Sequence, residues 1–230
     1  MGLTKTDFMR GMQCPKMLWL DKHRPKLKVI PPEIQQRLDE GNDFGDRAMG
    51  MFGPYEEMTV YRPGTRIPDK KAMLARTQEH LRAGTPVLCE AAFMTYNHYC
   101  AVDILRKTET GYDFYEVKNA REVHDQFIRD AGFQHFILRR CGIRVGRIFL
   151  VLHGQDEENP FVPVEITEEA RGLYGWVNDH IWDMNRMQKQ PEEPETAPGE
   201  QCSRPYECWY YGYCHPCSEQ ITMAEAEANQ

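Results

Sequence analysis

Two groups of residues in this 230-residue chain have types and spacings suited to chemistry. The first is a pair of carboxylates with a lysine: Asp103 in YCAVDILRK, and Glu116-Val117-Lys118 in YDFYEVKNA. The linking Thr108-Glu109-Thr110-Gly111 reads as a hairpin turn, and with Thr108 facing Gly111 it sets Asp103 directly opposite Glu116. Side chains alternate along a strand, so Lys118 shares the face of Glu116. Two facing carboxylates repel, and a divalent cation between them removes the conflict. Lys118 beside them is placed to orient a water or to neutralise charge building on a phosphate. Acid-x-Lys also occurs at Asp69–Lys71, but only the second instance lies on a predicted strand opposite another acid. The competing reading is a solvated ladder of Lys, Glu and Asp, worth roughly 0.2–1 kcal/mol per pair.

The second group is thiols. Cys202, Cys208, Cys214 and Cys217 fall within QCSRPYECWYYGYCHPC, a segment poor in aliphatic residues and rich in aromatic ones. Such a segment needs a staple, and thiolates on iron or zinc supply one. Zinc ribbons favour paired short spacings, and only Cys214–Cys217 has one. The longer steps between Cys202, Cys208 and Cys214 leave a fourth ligand open, for which Cys14 is available. It stands between a short helix that Thr6 can cap and a second helix begun by Pro15. Cys89, Cys100 and Cys141 lie in apolar stretches and read as buried small hydrophobes.

Hydrophobic periodicity and turn signals outline the elements that must position these groups. Helices are predicted over 33–51, 71–83, 124–140 and 167–188. Strands are predicted near 86–94, 98–107, 112–119 and 145–153, with 52–70 a Gly/Pro-rich loop carrying an edge strand. The order helix, three strands, helix, strand gives an α/β core with a mixed sheet. Residues 1–189 form this core and 190–200 (QPEEPETAPGE) a Pro/Glu-rich linker that does not pack by itself. Residues 201–217 form the cysteine segment and 218–230 a disordered tail. With 41% hydrophobic and 27% charged residues the chain is globular, neither disordered nor fibrous. No apolar run reaches the roughly 18 residues of a membrane span and no secretory signal opens the chain, so a cytoplasmic, reducing location is expected. A net charge of −7 excludes a simple basic nucleic-acid coat, yet residues 1–30 hold seven Lys/Arg against two Asp. A local basic surface therefore remains available.

Cys14-Pro15, Val102-Asp103, Glu116-Val117-Lys118, Gln134 and the late cysteines, in this order, resemble the PD-(D/E)XK nuclease superfamily. The resemblance runs from Thr4 to Cys214 and is to the RecB-like iron–sulfur branch, which includes CRISPR-associated exonucleases and the AddB nuclease domain. It implies a restriction-endonuclease-like core with an iron–sulfur-stapled C-terminal segment. Cys14, Cys202, Cys208 and Cys214 would ligate a 4Fe–4S cluster, with Cys217 as substitute ligand and zinc as the alternative occupant. Asp103, Glu116 and the Val117 carbonyl would hold Mg²⁺ or Mn²⁺, with Glu90 as an outer ligand. Lys118 would position the attacking water and Gln134 would support the site. The implied activity is a metal-dependent deoxyribonuclease, an exonuclease preferring single-stranded DNA, with protein partners in repair, recombination or CRISPR adaptation and no membrane partner. Arg121, Arg139, Arg140 and Arg144 are expected to grip the nucleic-acid backbone, and Lys22, Arg24, Lys26 and Lys28 to form a second track.

The sequence departs from the family pattern where Gly45 replaces a helix histidine, leaving Asp43 or Asp46 as substitutes. A tyrosine after the glutamine is replaced by Phe136 or Leu138. Both cysteine gaps are five residues, where the branch commonly has one short gap. The rival readings are a catalytically inactive nucleic-acid-binding module of the same fold and a zinc-stabilised structural adaptor.

Overall fold

In the computed structural model of the chain, which describes residues 2–155 and 158–215, helix α1 (Lys5–Gln13) starts at a capping box. The Thr4 hydroxyl accepts the Asp7 N–H, and the Asp7 carboxylate accepts the Thr4 N–H at 2.8 Å. The cap is thus Thr4 and not the expected Thr6, because only Thr4 has an acid three residues on to close the box. Thr4→Ala is expected to cost about 1 kcal/mol in urea unfolding. Cys14 ends α1 and precedes α2 (Pro15–His23), which has Pro15 in its first turn, as the sequence predicts.

Six strands form one mixed sheet in chain order: β1 (Glu56–Glu57), β2 (Val87–Thr95), β3 (His98–Lys107), β4 (Tyr112–Val117), β5 (Val145–His153) and β6 (Phe161–Glu165). β1–β2 and β4–β5 are parallel pairs and the others antiparallel. The β2–β3 turn places Tyr96 and Asn97 at φ 48° and 68°, the signature of a two-residue type I′ hairpin. At the β3–β4 turn the Thr108 N–H donates to the Gly111 carbonyl at 2.8 Å, and Ile104–Tyr115 through Lys107–Tyr112 pair in the expected register. Gly111 is required here, since a Cβ would lie 2.2 Å from the Arg144 carbonyl oxygen.

The remaining helices are α3 (Pro32–Ala48), α4 (Lys70–Ala83), α5 (Asp125–Arg140), α6 (Thr167–Gly172), α7 (Tyr174–Met187) and α8 (Tyr211–Cys214). α5 lies against the sheet with α1, α6 and α7 and supplies Phe127, Ala131, Phe133 and Ile137 to the main core. A smaller core on other strand positions joins Cys89, Ile104, Tyr115 and Val151 to Ala48 and Met49.

Three further expectations are corrected. β6 was not anticipated: it carries Pro163, which an edge strand tolerates because its missing N–H need not serve a further partner. The single helix over 167–188 is two, with Leu173 at the break seated against Gly132. Cys141 is exposed at the end of α5, unlike buried Cys89 and Cys100. The 190–200 linker rests on other segments: Glu193 pairs with Lys16 at 2.8 Å and accepts the Tyr213 hydroxyl at 2.8 Å. The 218–230 tail lies outside the described residues, among which no helix is long and apolar enough to cross a membrane.

Candidate active site

The β2–β3–β4 ladder breaks where the acids stand. Glu90 adopts φ 53°, a left-handed conformation that L side chains rarely take, and the alternation of β2 changes there. Val87 and Cys89 belong to the smaller core, whereas Ala91 and Phe93 belong to the main one. Neither Glu90 with Asp103 nor Asp103 with Glu116 forms a ladder pair, although the pairs on either side of Glu90 and Asp103 do. One Asp103 carboxylate oxygen instead accepts the Val117 N–H at 2.7 Å. Asp103 and Glu116 therefore face each other across strands that have parted, and their carboxylates converge.

Glu116 is 1% exposed and its oxygens are fully engaged. Oε1 accepts Lys118 Nζ at 2.7 Å and Lys5 Nζ at 3.0 Å, and Oε2 accepts Gln134 Nε2 at 2.6 Å. Lys5 also lies 3.7 Å from Asp103 Oδ1. Lys118 makes a second, short bond to Asp130, and Gln134 donates to Asp130 at 3.1 Å. The structure thus brings Asp103, Glu116, Lys118 and Gln134 together and adds Lys5 and Asp130, which sequence reasoning missed. Signals for both were present: Lys5 puts a cation in the first turn of a helix, against the macrodipole, and Asp130 is an acid on a buried helix face, one turn before Gln134.

Burial, followed by the charge of Asp103, pushes the Glu90 carboxyl up to about 8. Burial and then Glu116 push Asp103 up to about 6. Burial opposes ionisation of Glu116 too, but Lys118 and Lys5 overcome it and hold that carboxyl well below the usual range. Glu90 and Asp103 hold protons in the folded protein that the unfolded chain releases, so their contribution is greatest below their ordinary values near pH 4. It is lost as pH rises through about 6 and 8. Urea unfolding of cation-free protein is therefore expected to show stability falling from pH 5 to 8.5. Each proton contributes a slope of at most about 1.4 kcal/mol per pH unit, and Glu90→Gln should flatten the upper half of the curve.

With all groups ionised, Glu90, Asp103, Glu116 and Asp130 against Lys5 and Lys118 leave a net charge of −2, which one divalent cation balances. The donor set, carboxylate oxygens from the inner strands β2, β3 and β4, suits Mg²⁺ or Mn²⁺. Among the described residues, no three His, Cys, Asp or Glu side chains form a ready metal-binding group. Between the acids stand the two ammonium groups.

The thiols gather elsewhere. Cys14, Cys202, Cys208 and Cys214 line one small cavity, roofed by linker residues Thr196, Ala197 and Pro198. None is in a disulfide, and the Tyr210 N–H donates to Cys208 Sγ at 3.4 Å. Burial pushes the Cys208 thiol up to about 11 and also raises Cys214, so loading a metal there releases protons. Thiols are donors of the type that iron and zinc take, but these four, like the acids, do not form a ready metal-binding group among the described residues. Cys217 lies outside the described residues. In the same segment the Tyr206 phenol is raised, by burial first and by the charges of Asp130 and Glu116, while Lys118 and Lys5 work against the shift. Gln13 of α1 pins this segment by donating to the carbonyls of Gln201 and Tyr206.

Other predicted contacts are not brought to the acids. Arg139 and Arg140 sit at the C-terminal end of α5, over Tyr174 at 4.3 Å and Phe136 at 5.3 Å, where cations complement the helix end. Arg144 pairs through its carbonyl with Tyr112, at the far end of β4 from Glu116. Arg121 stands three residues past Lys118; burial, and after it the charges of Arg121 and Arg47, lowers His153. Asp43 and Asp46 line an open groove of about 600 Å³ with Glu40, Arg47 and Asn119. In the second basic track, Lys28 stacks on Trp209 at 4.5 Å and Lys22 donates to the Gln188 carbonyl.

No protein-family model and no curated protein matches this chain. Among solved structures, one titled "Crystal structure of SSO0001" is similar with a TM-score of 0.45 at 12% identity, covering 95% of this chain and 86% of that one.

Proposed function

We propose that the chain is a divalent-metal-dependent nuclease that hydrolyses DNA phosphodiester bonds, with single-stranded DNA as substrate. The fold is read as a restriction-endonuclease-like core whose C-terminal segment is stapled by an iron–sulfur cluster. The observation that carries this reading is the convergence of Asp103, Glu116 and Lys118 at the parted edge of β3 and β4, with Lys118 2.7 Å from Glu116. The motif resemblance, which rests on the same residues, agrees with it.

Asp103, Glu116 and Glu90 would hold Mg²⁺ or Mn²⁺, which when bound polarises the phosphate and lowers the pKa of a water. Lys118, fixed between Glu116 and Asp130, offers a rigid donor to the nucleophile or to a phosphate oxygen. Gln134 keeps Glu116 oriented through its 2.6 Å bond. Tyr206, 52% exposed on the cysteine segment, offers a ring on which a base can stack. Cys14, Cys202, Cys208 and Cys214 would hold the cluster and tie the N-terminal helices to the last segment.

The test is cleavage of end-labelled single- and double-stranded DNA with Mn²⁺ by anaerobically purified protein, alongside Asp103→Asn and Lys118→Ala, with iron and zinc assayed. Wild-type cleavage that falls about 10²–10⁴-fold in both variants is expected. Equal DNA binding without cleavage by all three proteins would replace the reading with a non-catalytic binding module.

A further inference from the structure

Lys5 occupies a position that ordinary helix logic disfavours. It is the first residue of α1, where the positive end of the helix dipole repels a cation. Its place is nevertheless fixed from both sides. The Thr4–Asp7 box holds the helix start, and the preceding residue is stitched to β3: the Leu3 N–H donates to His98 Nδ1 at 3.1 Å, and the Leu3 carbonyl accepts the Tyr99 N–H at 2.9 Å. From this anchored start the ammonium reaches Glu116 Oε1 at 3.0 Å and Asp103 Oδ1 at 3.7 Å.

Those are oxygens that a cation shared by Asp103 and Glu116 can use, and Glu116 Oε1 also accepts Lys118. Asp103 Oδ2 is taken by the Val117 N–H and Glu116 Oε2 by Gln134. The two lysines are not equivalent. Lys118 has a second anchor in Asp130, so it keeps a partner if Glu116 turns to a cation. The ion pairs of Lys5 among the described residues are with Asp103 and Glu116 alone.

We infer that Lys5 is an internal counter-ion that competes with the divalent cation for Asp103 and Glu116, holding the acids together without the cation and yielding them when it binds. This rests on the proposed reading of the two acids as cation ligands. The lysine keeps the strand edge folded before loading, and it weakens the apparent affinity of the site for divalent ions. Once displaced, its ammonium is free beside the site, where it can meet a phosphate oxygen.

The experiment is Mn²⁺ titration, followed by the electron paramagnetic resonance of free Mn²⁺, of wild type, Lys5→Met, Lys5→Arg and Asp103→Asn. Thermal unfolding of each is measured in chelator and in saturating Mn²⁺. Lys5→Met should bind Mn²⁺ roughly 10–100-fold more tightly, since a unit charge a few ångströms away is removed. It should melt below wild type in chelator, with the gap closed or reversed in Mn²⁺. Lys5→Arg, which keeps the charge, should stay near wild type, and Asp103→Asn should lose the binding. Unchanged or weaker Mn²⁺ affinity in Lys5→Met, with wild-type binding intact, overturns the counter-ion role and leaves the cation site standing. Absence of Mn²⁺ binding in both wild type and Lys5→Met overturns the inference together with the reading beneath it.

Discussion

Glu116→Gln is expected to lower the unfolding free energy of the cation-free protein by about 3–5 kcal/mol. Glu116 is 1% exposed and is the acceptor common to Lys5, Lys118 and Gln134. Removing its charge leaves two ammonium groups facing each other over a neutral amide, in a region where their repulsion is poorly screened. Asp103 and Asp130 still balance them in number, but neither takes over the Oε1 position at which both lysines meet. The loss should be largely specific to that encounter. Glu116→Gln combined with Lys5→Met should recover at least about 1 kcal/mol relative to the sum of the single effects, the coupling expected of groups in one network. Strict additivity in urea titrations of the four proteins would show that Lys5 and Glu116 do not interact energetically.

The second large effect concerns the thiols. Cys208→Ser is expected to abolish bound iron and to speed proteolytic cutting in the 190–200 stretch at least about tenfold, leaving the α/β core folded. The scale is set by metal–thiolate binding in small domains, about 10–16 kcal/mol of folding free energy. What would remain is modest: Gln13 holds the Gln201 and Tyr206 carbonyls, and Tyr210 donates to Asp21 at 2.9 Å. The Trp209 ring also lies between Arg10 at 4.0 Å and Lys28 at 4.5 Å. These contacts let the segment rest on α1 and α2 without locking it there. Because Tyr206 belongs to this segment and feels the charges of the acid site, loosening should also weaken DNA binding. Limited proteolysis and iron content matching wild type would remove the thiols from any stapling role.

Much of this arrangement was legible in the chain. The turn Thr108–Gly111 set the hairpin register because its length admits one pairing, and the alternation of YDFYEVKNA put Glu116 and Lys118 on one side. Cys14 could be placed between two helices because Pro15 can only begin the second. Lys5 and Asp130 each carried a local signal, but nothing in the chain joined either to the site, since contacts between a helix and a distant strand leave no local pattern. The parting of the strands at Glu90 and Asp103 was equally hidden, because a left-handed glutamate has no propensity signature. β6 escaped notice because Pro163 interrupts its apolar alternation, and the break at Leu173 because Gly172 alone is a weak stop.

The pinning of α1 by the last segment fixes when the molecule can be finished. Gln13 and Tyr206 are 193 residues apart in the chain, and Lys5 and Glu116 are 111 apart. A ribosome adding roughly 5–20 residues per second needs about 10–40 s to span the first interval. Throughout that time Trp19 and Leu20 lack the cover that Cys208 and Tyr210 later give them. Cys14 waits with them as a solitary thiol open to oxidants. Assembly of the four-thiol cavity thus waits until residues 196–214 have been made, long after α1 and α2.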